Sequence, residues 1–441
     1  MIRAMAHTLS ANDVRRTLGE HLLVDGFPIV LDLEKSQGTT LVDEATGDTY
    51  LDMFTFFASN ALGMNHPGIT QDAEFKEELL TVALNKPSNS DVYTVAMARF
   101  VETFARVMGD PELPHYFFIE GGSLAVENAL KVAFDWKSRW NEAHGISPDL
   151  GTKIMHLTGA FHGRSGYTMS LTNTDPNKVA RFPKFDWPRI TSPYIADDRD
   201  VPALEAQALR EAEAAFEANK HDIAGFIMET VQGEGGDHHF RPEFYAAMRD
   251  LAHSHDALFI LDEVQTGGGM TGKPWAYQHK SIEPDVVSFG KKMQVCGLTA
   301  GGRVDEVPDN VFQVSSRINS TWGGNLTDMV RARRILEIME ADHLMENASA
   351  LGDHLVGRLA ELAAKHDVIS NPRGLGLMCA VTLPNGAIRD EILKRLMADE
   401  HIIMLGCGER SLRVRPPLTV TREDLDRAID AIDRVVAGLD R

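Results

Sequence analysis

The chain has 441 residues, 43% of them hydrophobic, 24% charged and 7% aromatic, which is the composition of an ordinary globular protein and not of a disordered, fibrous or membrane one. Its 64 acidic residues against 44 Lys and Arg leave a formal charge of −20, a field that repels phosphate backbones and anionic lipid, so neither nucleic acid nor membrane is an expected partner. The three cysteines, Cys296, Cys379 and Cys407, form no CxxC pair, which excludes cysteine-pair zinc sites and suits a reducing compartment. No metal is expected. The opening MIRAMAHTLSANDVRRTLGEHLL holds no apolar run of signal-peptide length, and no later stretch approaches the ~20 apolar residues that span a bilayer, so a cytoplasmic location is expected.

A chain of this length is expected to contain more than one structural unit. In chain order, the pattern first predicts a short helix capped by Ser10, with Val14, Leu18 and Leu22 on one side. The stretch PIVLDLEKSQGTTLVDEATGDTYLDMF then reads as a small antiparallel element. Over about 70–320, short apolar runs alternate with helical periods, which predicts βα units and a largely parallel, buried sheet. Its candidate strands are Tyr116 to Ile119, Ile154 to Leu157, Gly225 to Glu229, Leu258 to Asp262 and Val286 to Phe289. The Ala/Glu-rich run from Leu204 to Lys220 reads as a solvated surface helix. Beyond about 325, two amphipathic helices (Leu326 to Glu340, Leu344 to Lys365), strand-like GLMCAVTL and LRVRPPLTV with a helix between them, and a last helix from Arg422 to Leu439 predict a second α/β unit. The expected division is 1–69, a segment joining the smaller unit, 70–324, the large one, and 325–441, the small one.

Open α/β sheets bind ligands at the carboxyl ends of their strands, and each candidate strand ends there in polar or glycine residues. Asp262 and, three positions on, Gln265 follow one strand; Lys291 closes the next. A lysine held partly unprotonated can form a Schiff base, and a carboxylate can keep a pyridine nitrogen protonated, so this pair meets two needs of pyridoxal phosphate. The order strand, Gly121-Gly122-Ser123, helical period aims free backbone N–H groups at an anion, with Gly122 and Ser123 as contacts. Neither GxGxxG nor GxxxxGK[ST] is present, which removes the specific support for dinucleotide and P-loop readings. In GAFHGRSGYT, Phe161 can stack on a flat ring and Arg164 can hold a carboxylate, while His162 reads as structural filler, like Cys296. IMETVQGEGGD brings Glu229 and Glu234 to another strand end. Arg413 and Arg415 alternate on one strand, so that one can enter a site while the other meets solvent.

The ordered set DEVQTG, PDVVSFGK, GAFHGR and RVRPPL resembles the class III (ω-amino acid) aminotransferases of pyridoxal-phosphate fold type I, over nearly the whole chain. GKKMQVCG and INSTWGGNLTDMVRARRILE are more similar to the branch acting on the ε-amino group of L-lysine than to the ornithine or 4-aminobutyrate branches. The resemblance implies a large domain with a mostly parallel seven-stranded sheet and a smaller α/β domain. It also implies Lys291 as the Schiff-base lysine, with Lys292 as runner-up, Asp262 on the pyridine nitrogen, Gln265 on the ring oxygen and Phe161 on the ring. Gly122 and Ser123 would hold the phosphate, Glu229 joins the cofactor-binding set, and Thr321 would reach the phosphate from the partner subunit of a homodimer. Arg164 would take the far carboxylate of lysine and Arg413 the α-carboxylate of 2-oxoglutarate or glutamate, covered by Glu234 while the amine donor is bound. The implied reaction is a ping-pong transfer that gives 2-aminoadipate 6-semialdehyde, which cyclises, and L-glutamate.

Overall fold

A computed structural model describes residues 9–439. Strands β1 (Thr40–Val42) and β2 (Thr49–Asp52) form an antiparallel hairpin that turns through Gly47, whose φ of 82 suits glycine. The large sheet consists of β3 (His115–Ile119), β4 (Lys153–Leu157), β5 (Arg189–Ile190), β6 (Ile223–Glu229), β7 (Leu258–Asp262), β8 (Val286–Phe289) and β9 (Cys296–Ala300). Its seven strands lie in the order β3-β9-β8-β7-β6-β4-β5, and every neighbouring pair is parallel except those made by β9, which runs against both β3 and β8. The five strands read from sequence are all there. The two strands not anticipated are β5, which is only two residues long, and β9, whose CGLTA sequence is interrupted by glycine and does not stand out from the loop after Lys291.

Helices cover both faces, so β6 and β7 are buried along their whole length. The strand alternation divides the core: Leu258 and Ile260 of β7 face Val126, Ala129, Leu130 and Ala133 of the Gly122–Ala143 helix, while Phe259 and Leu261 face the cluster that includes Phe244 and Met248 of the Pro242–Ser254 helix. A second, antiparallel sheet holds β10 (Ser370–Leu375), β11 (Met378–Thr382), β13 (Leu405–Cys407) and β14 (Ser411–Val414) in the order β10-β11-β14-β13, and β12 (Ile402–Ile403) pairs in parallel with β2.

The C-terminal helices Leu326–Ala341, Leu344–Lys365 and Arg422–Ala437 lie within two residues of their expected ends, the last begun by a Thr421/Asp424 capping box. Two expectations need correction. The N-terminal helix is one 3-10 turn plus Val14–Gly19; Ser10 donates to the Asp13 carboxylate instead of capping, and Leu18 and Leu22 stay 43% and 60% exposed, because so short a helix cannot hold its apolar side against anything. The Ala/Glu-rich helix, Val201–Ala218, buries Val201, Ala208, Ala212 and Phe216, a stripe that its small residues hide in composition.

After β2 the backbone enters the left-handed region at four successive non-glycine residues, Thr55, Phe56, Phe57 and Ala58, with φ of 44, 52, 62 and 64. Each such residue costs ~1–2 kcal/mol, so the turn needs external bracing. Buried Asp52 supplies part of it, its Oδ1 accepting from Phe54 N at 2.9 Å and Thr55 N at 2.7 Å, while Thr55 Oγ1 donates to Arg415 O at 2.8 Å. Asp52→Ala strips the acceptor from two backbone N–H groups and should lower stability by about 1–3 kcal/mol, read as a lower urea midpoint at unchanged slope.

Candidate active site

A cavity of about 540 Å³ opens at the carboxyl ends of β3, β4, β6, β7 and β8. Nine of the eleven expected site residues line it: Gly122, Ser123, Phe161, Arg164, Glu229, Glu234, Asp262, Gln265 and Lys291. Arg413 stands behind Glu234, which it contacts at 3.3 Å. Thr321 does not line this cavity; it is exposed in the turn before Gly323.

Lys291 follows Gly290 directly after β8 and has φ of 50, starting a 3-10 turn that Gln294, with φ of 61, ends. The tight turn lets Lys291 reach the cavity and sends its neighbour the other way: Lys292 is buried, its Nζ donating to Gln265 O at 2.8 Å and Ala58 O at 3.1 Å. The runner-up lysine is therefore a structural donor outside the cavity. Burial pushes the Lys291 amine below its ordinary value, against the raising influence of Asp262, with Arg413 adding to the depression. Burial, followed by the nearby Lys291, drives Lys292 well below the ordinary lysine value.

Glu229 and Asp262 end adjacent parallel strands in register. Asp262 Oδ1 accepts from Val264 N at 3.0 Å and its Oδ2 accepts from His162 Nδ1 at 2.8 Å. His162 is thus more than filler: it is buried and fixes one side of the Asp262 carboxylate. Glu229 accepts from Phe161 N at 2.9 Å and from Gly233 N at 3.0 Å, latching together the loops after β4 and β6. Burial, and then Asp262, raise its carboxyl well above the usual value.

At the opposite end, the Gly122–Ala143 helix points its N-terminus into the cavity after Gly121, whose φ is 96. Ser123 Oγ lies 2.6 Å from Ser165 Oγ and 2.8 Å from Thr168 Oγ1, and Glu127 holds the cluster through Ser165 Oγ at 2.7 Å and Tyr167 N at 2.7 Å. Gly163, with φ of 117, permits the approach, since a Cβ there would fall 2.3 Å from Ser123 Oγ.

Glu234 takes two cations, Lys178 Nζ on Oε1 at 2.5 Å and Arg413 Nη1 on Oε2 at 3.3 Å. Burial would raise its carboxyl, but Arg413 and then Lys178 override that and hold it below the ordinary glutamate value. The expectation that Arg415 meets solvent is wrong. It is as buried as Arg413 because the side of β14 away from the cavity is covered as well, and it is ion-paired with Asp237. Arg373 of β10 also donates to Asp237 O at 2.8 Å, so three arginines of the four-stranded sheet grip the loop after β6.

This constellation of amine, carboxylate pair and helix N-terminus lies in a chain whose residues 24–436 match the class-III aminotransferase family. The chain belongs to the class-III aminotransferases. An L-lysine-epsilon aminotransferase of Mycobacterium tuberculosis is 64% identical over 423 residues, covering 95% of this chain and 94% of that protein. The solved structure of a lysine aminotransferase from M. tuberculosis in the internal aldimine form has a TM-score of 0.96 and 62% identity, covering 97% of this chain and 99% of that one. A probable mitochondrial 4-aminobutyrate aminotransferase of Caenorhabditis elegans is 33% identical, covering 93% of this chain and 88% of that protein. As a class-III aminotransferase this protein has fold type I, a mostly parallel seven-stranded sheet with smaller sheets beside it.

Sequence reasoning missed several residues that line or support this cavity. Val231, Val264, Ser165 and Thr266 line the cavity, and Lys178 and Glu127 support it. Val264 and Thr266 sit inside the DEVQTG motif and Ser165 one step past Arg164, so their positions carried the signal; Lys178, in an ordinary polar stretch, carried none.

Glu229→Gln removes an ionisation while keeping the shape. Because the folded-state carboxyl titrates above its ordinary value, its contribution is complete at low pH and is lost as pH rises toward the folded-state value. The amide does not titrate. The variant should lose about 1 kcal/mol in mildly acidic buffer, with the deficit shrinking in mildly alkaline buffer, as urea unfolding measures. Lys292→Met keeps the buried stem but leaves two carbonyls without a donor, and a fall of about 1–3 kcal/mol in unfolding free energy is expected.

Proposed function

We propose that this protein transfers the ε-amino group of L-lysine to 2-oxoglutarate with pyridoxal 5′-phosphate, giving 2-aminoadipate 6-semialdehyde and L-glutamate in two stages. The observation that carries the reading is the pairing of Arg413 with Glu234 beside the cavity that holds Lys291. A buried guanidinium needs a partner, and a reaction that takes first an amine and then an oxo acid needs that partner to be removable. The identity to lysine aminotransferases, 64% against 33% for the 4-aminobutyrate enzyme, supports lysine as donor.

The residues fit the cofactor. A helix N-terminus with free N–H groups and the Ser123 hydroxyl suit a phosphate, Asp262 suits a pyridine nitrogen, Gln265 suits the ring oxygen, and Phe161 gives a flat apolar wall, with Glu229 bracing Phe161 from behind. When bound, pyridoxal phosphate supplies an electron sink for the carbon that carries the amine. Lys291 Nζ, its proton affinity lowered by burial, is the base that would take a proton from the lysine ε-carbon and pass it to the cofactor carbon bearing the nitrogen in the first stage, and would carry one from there to the α-carbon of 2-oxoglutarate in the second. Asp262, braced by His162, holds the ring-nitrogen proton in place.

Arg164, exposed on the wall, pairs with the α-carboxylate of lysine at the far end of the donor. Arg413 stays covered by Glu234 during that stage and is released to the α-carboxylate of 2-oxoglutarate in the next. Thr321, exposed and away from its own cavity, serves the phosphate site of a second copy in a cytoplasmic homodimer. The cofactor is carried by residues 70–324, with 325–441 as the smaller domain, which 1–69 joins through the β2–β12 pairing.

The test is an absorbance scan of the yellow protein mixed with L-lysine, ornithine or 4-aminobutyrate and no oxo acid. Lysine alone should bleach the visible band rapidly and 2-oxoglutarate should restore it, while Lys291→Ala should do neither. A response only to another amine would replace the donor, and no response to any of the three would reject the reading.

A further inference from the structure

We infer that Lys178 is a positioning residue that keeps Glu234 when it leaves Arg413, giving this carboxylate a cationic partner in both stages. The inference rests on the two-substrate reading above. Its basis is a carboxylate shared between two cations of different depth. Arg413 is 3% exposed and binds one oxygen; Lys178 is 26% exposed and binds the other. Glu234 also forms part of two cavities, the active site and a second one of about 540 Å³ whose lining includes Thr174, Lys178, Arg389 and Cys407. There is space behind the carboxylate, and the cation stands on that side.

The local backbone suits such a swing. Glu234 lies between Gly233 and the pair Gly235-Gly236, and Gly236 has φ of 137. Lys178 sits on a fixed turn, Pro176–Val179, begun by proline and capped by Asp175, whose carboxylate accepts from Asn177 N at 2.9 Å. Its Nζ also lies 5.5 Å from the centre of the Phe161 ring, which keeps it at the edge of the active site. Arg389, the other cation of the second cavity, is already engaged by Asp390 and by the carbonyls of Gly408 and Glu409.

A carboxylate stripped from its only cation in a half-buried site must be resolvated or left uncompensated, and either cost falls on whatever displaces it. With Lys178 present, an incoming dicarboxylate takes Arg413 while Glu234 keeps one strong hydrogen bond. Without Lys178, Glu234 would hold Arg413 more firmly, and only the acceptor stage would suffer.

The experiment compares Lys178→Met, Lys178→Arg and Glu234→Gln holoenzymes. It reads the KM for lysine and for 2-oxoglutarate, together with the calorimetric affinity for glutarate, an unreactive dicarboxylate. Lys178→Met should weaken glutarate and raise the 2-oxoglutarate KM roughly fivefold to tenfold, the size of one partly exposed ion pair, while the lysine KM moves less than twofold. Lys178→Arg should restore both, and in a Glu234→Gln background Lys178→Met should add nothing. Equal rises in both KM values, unchanged glutarate affinity, or the same Lys178→Met effect without Glu234 would each overturn the inference. A wild-type protein that takes no amine from lysine would instead overturn the two-substrate reading.

Discussion

Buried positive charge is the constraint around which this molecule is arranged. Arg413 lies on the four-residue β14 and Arg415 directly after it, and both are 2% exposed, a placement that costs several kcal/mol per ion unless each finds a close anion. The anions come from a single loop: Glu234 meets Arg413 and Asp237 meets Arg415, while Arg373 takes the carbonyl of Asp237. The same loop closes on itself through the mutual bonds of Gln232 and His238, which bracket the glycine-flanked Glu234. Satisfying the charges therefore docks the four-stranded sheet onto the carboxyl edge of the seven-stranded one, and the cavity wall that carries Glu234 follows from that docking.

The opposite wall is secured by the N-terminal segment. Its left-handed turn is held where Thr55 and Met53 bond to Arg415 and where Lys292 and Gln294 bond to Ala58 and Ser59. These bonds run to β14 on one side and to the lysine turn on the other. The strained turn is thus held from both sides, by the residue that follows β14 and by the turn that carries Lys291.

Much of this was visible in the residues. Strand ends that finish in Asp262, Glu229 or Gly-Lys declare where a parallel sheet exposes its chemistry, and apolar runs bounded by such residues gave β6, β7 and β8. What could not be read was pairing. The alternation of Arg413, Val414 and Arg415 suggests that one arginine faces water, yet a covering element from elsewhere in the chain buries both, and no local pattern records that. His162 looked idle because its partner lies 100 positions away. Lys178 belongs to a polar loop whose composition matches any surface turn. β9 was hidden because its place between two strands depends on β3, far back in the chain.

That last strand has a bearing on how the protein is made. Lys291 lies on the connection between β8 and β9, and β9 completes the sheet only by pairing with β3, a segment that leaves the ribosome roughly 180 residues earlier. The β3 edge must therefore wait unpaired while most of the large sheet is synthesised, and the lysine turn has no fixed shape until that wait ends. The arginines that close the cavity emerge later still, from β14. Synthesis thus delivers most of the sheet, then the amine, then the strand that completes the sheet and last the arginines, and a ribosome that stops short of β9 leaves the β3 edge exposed and open to aggregation in place of a finished cavity.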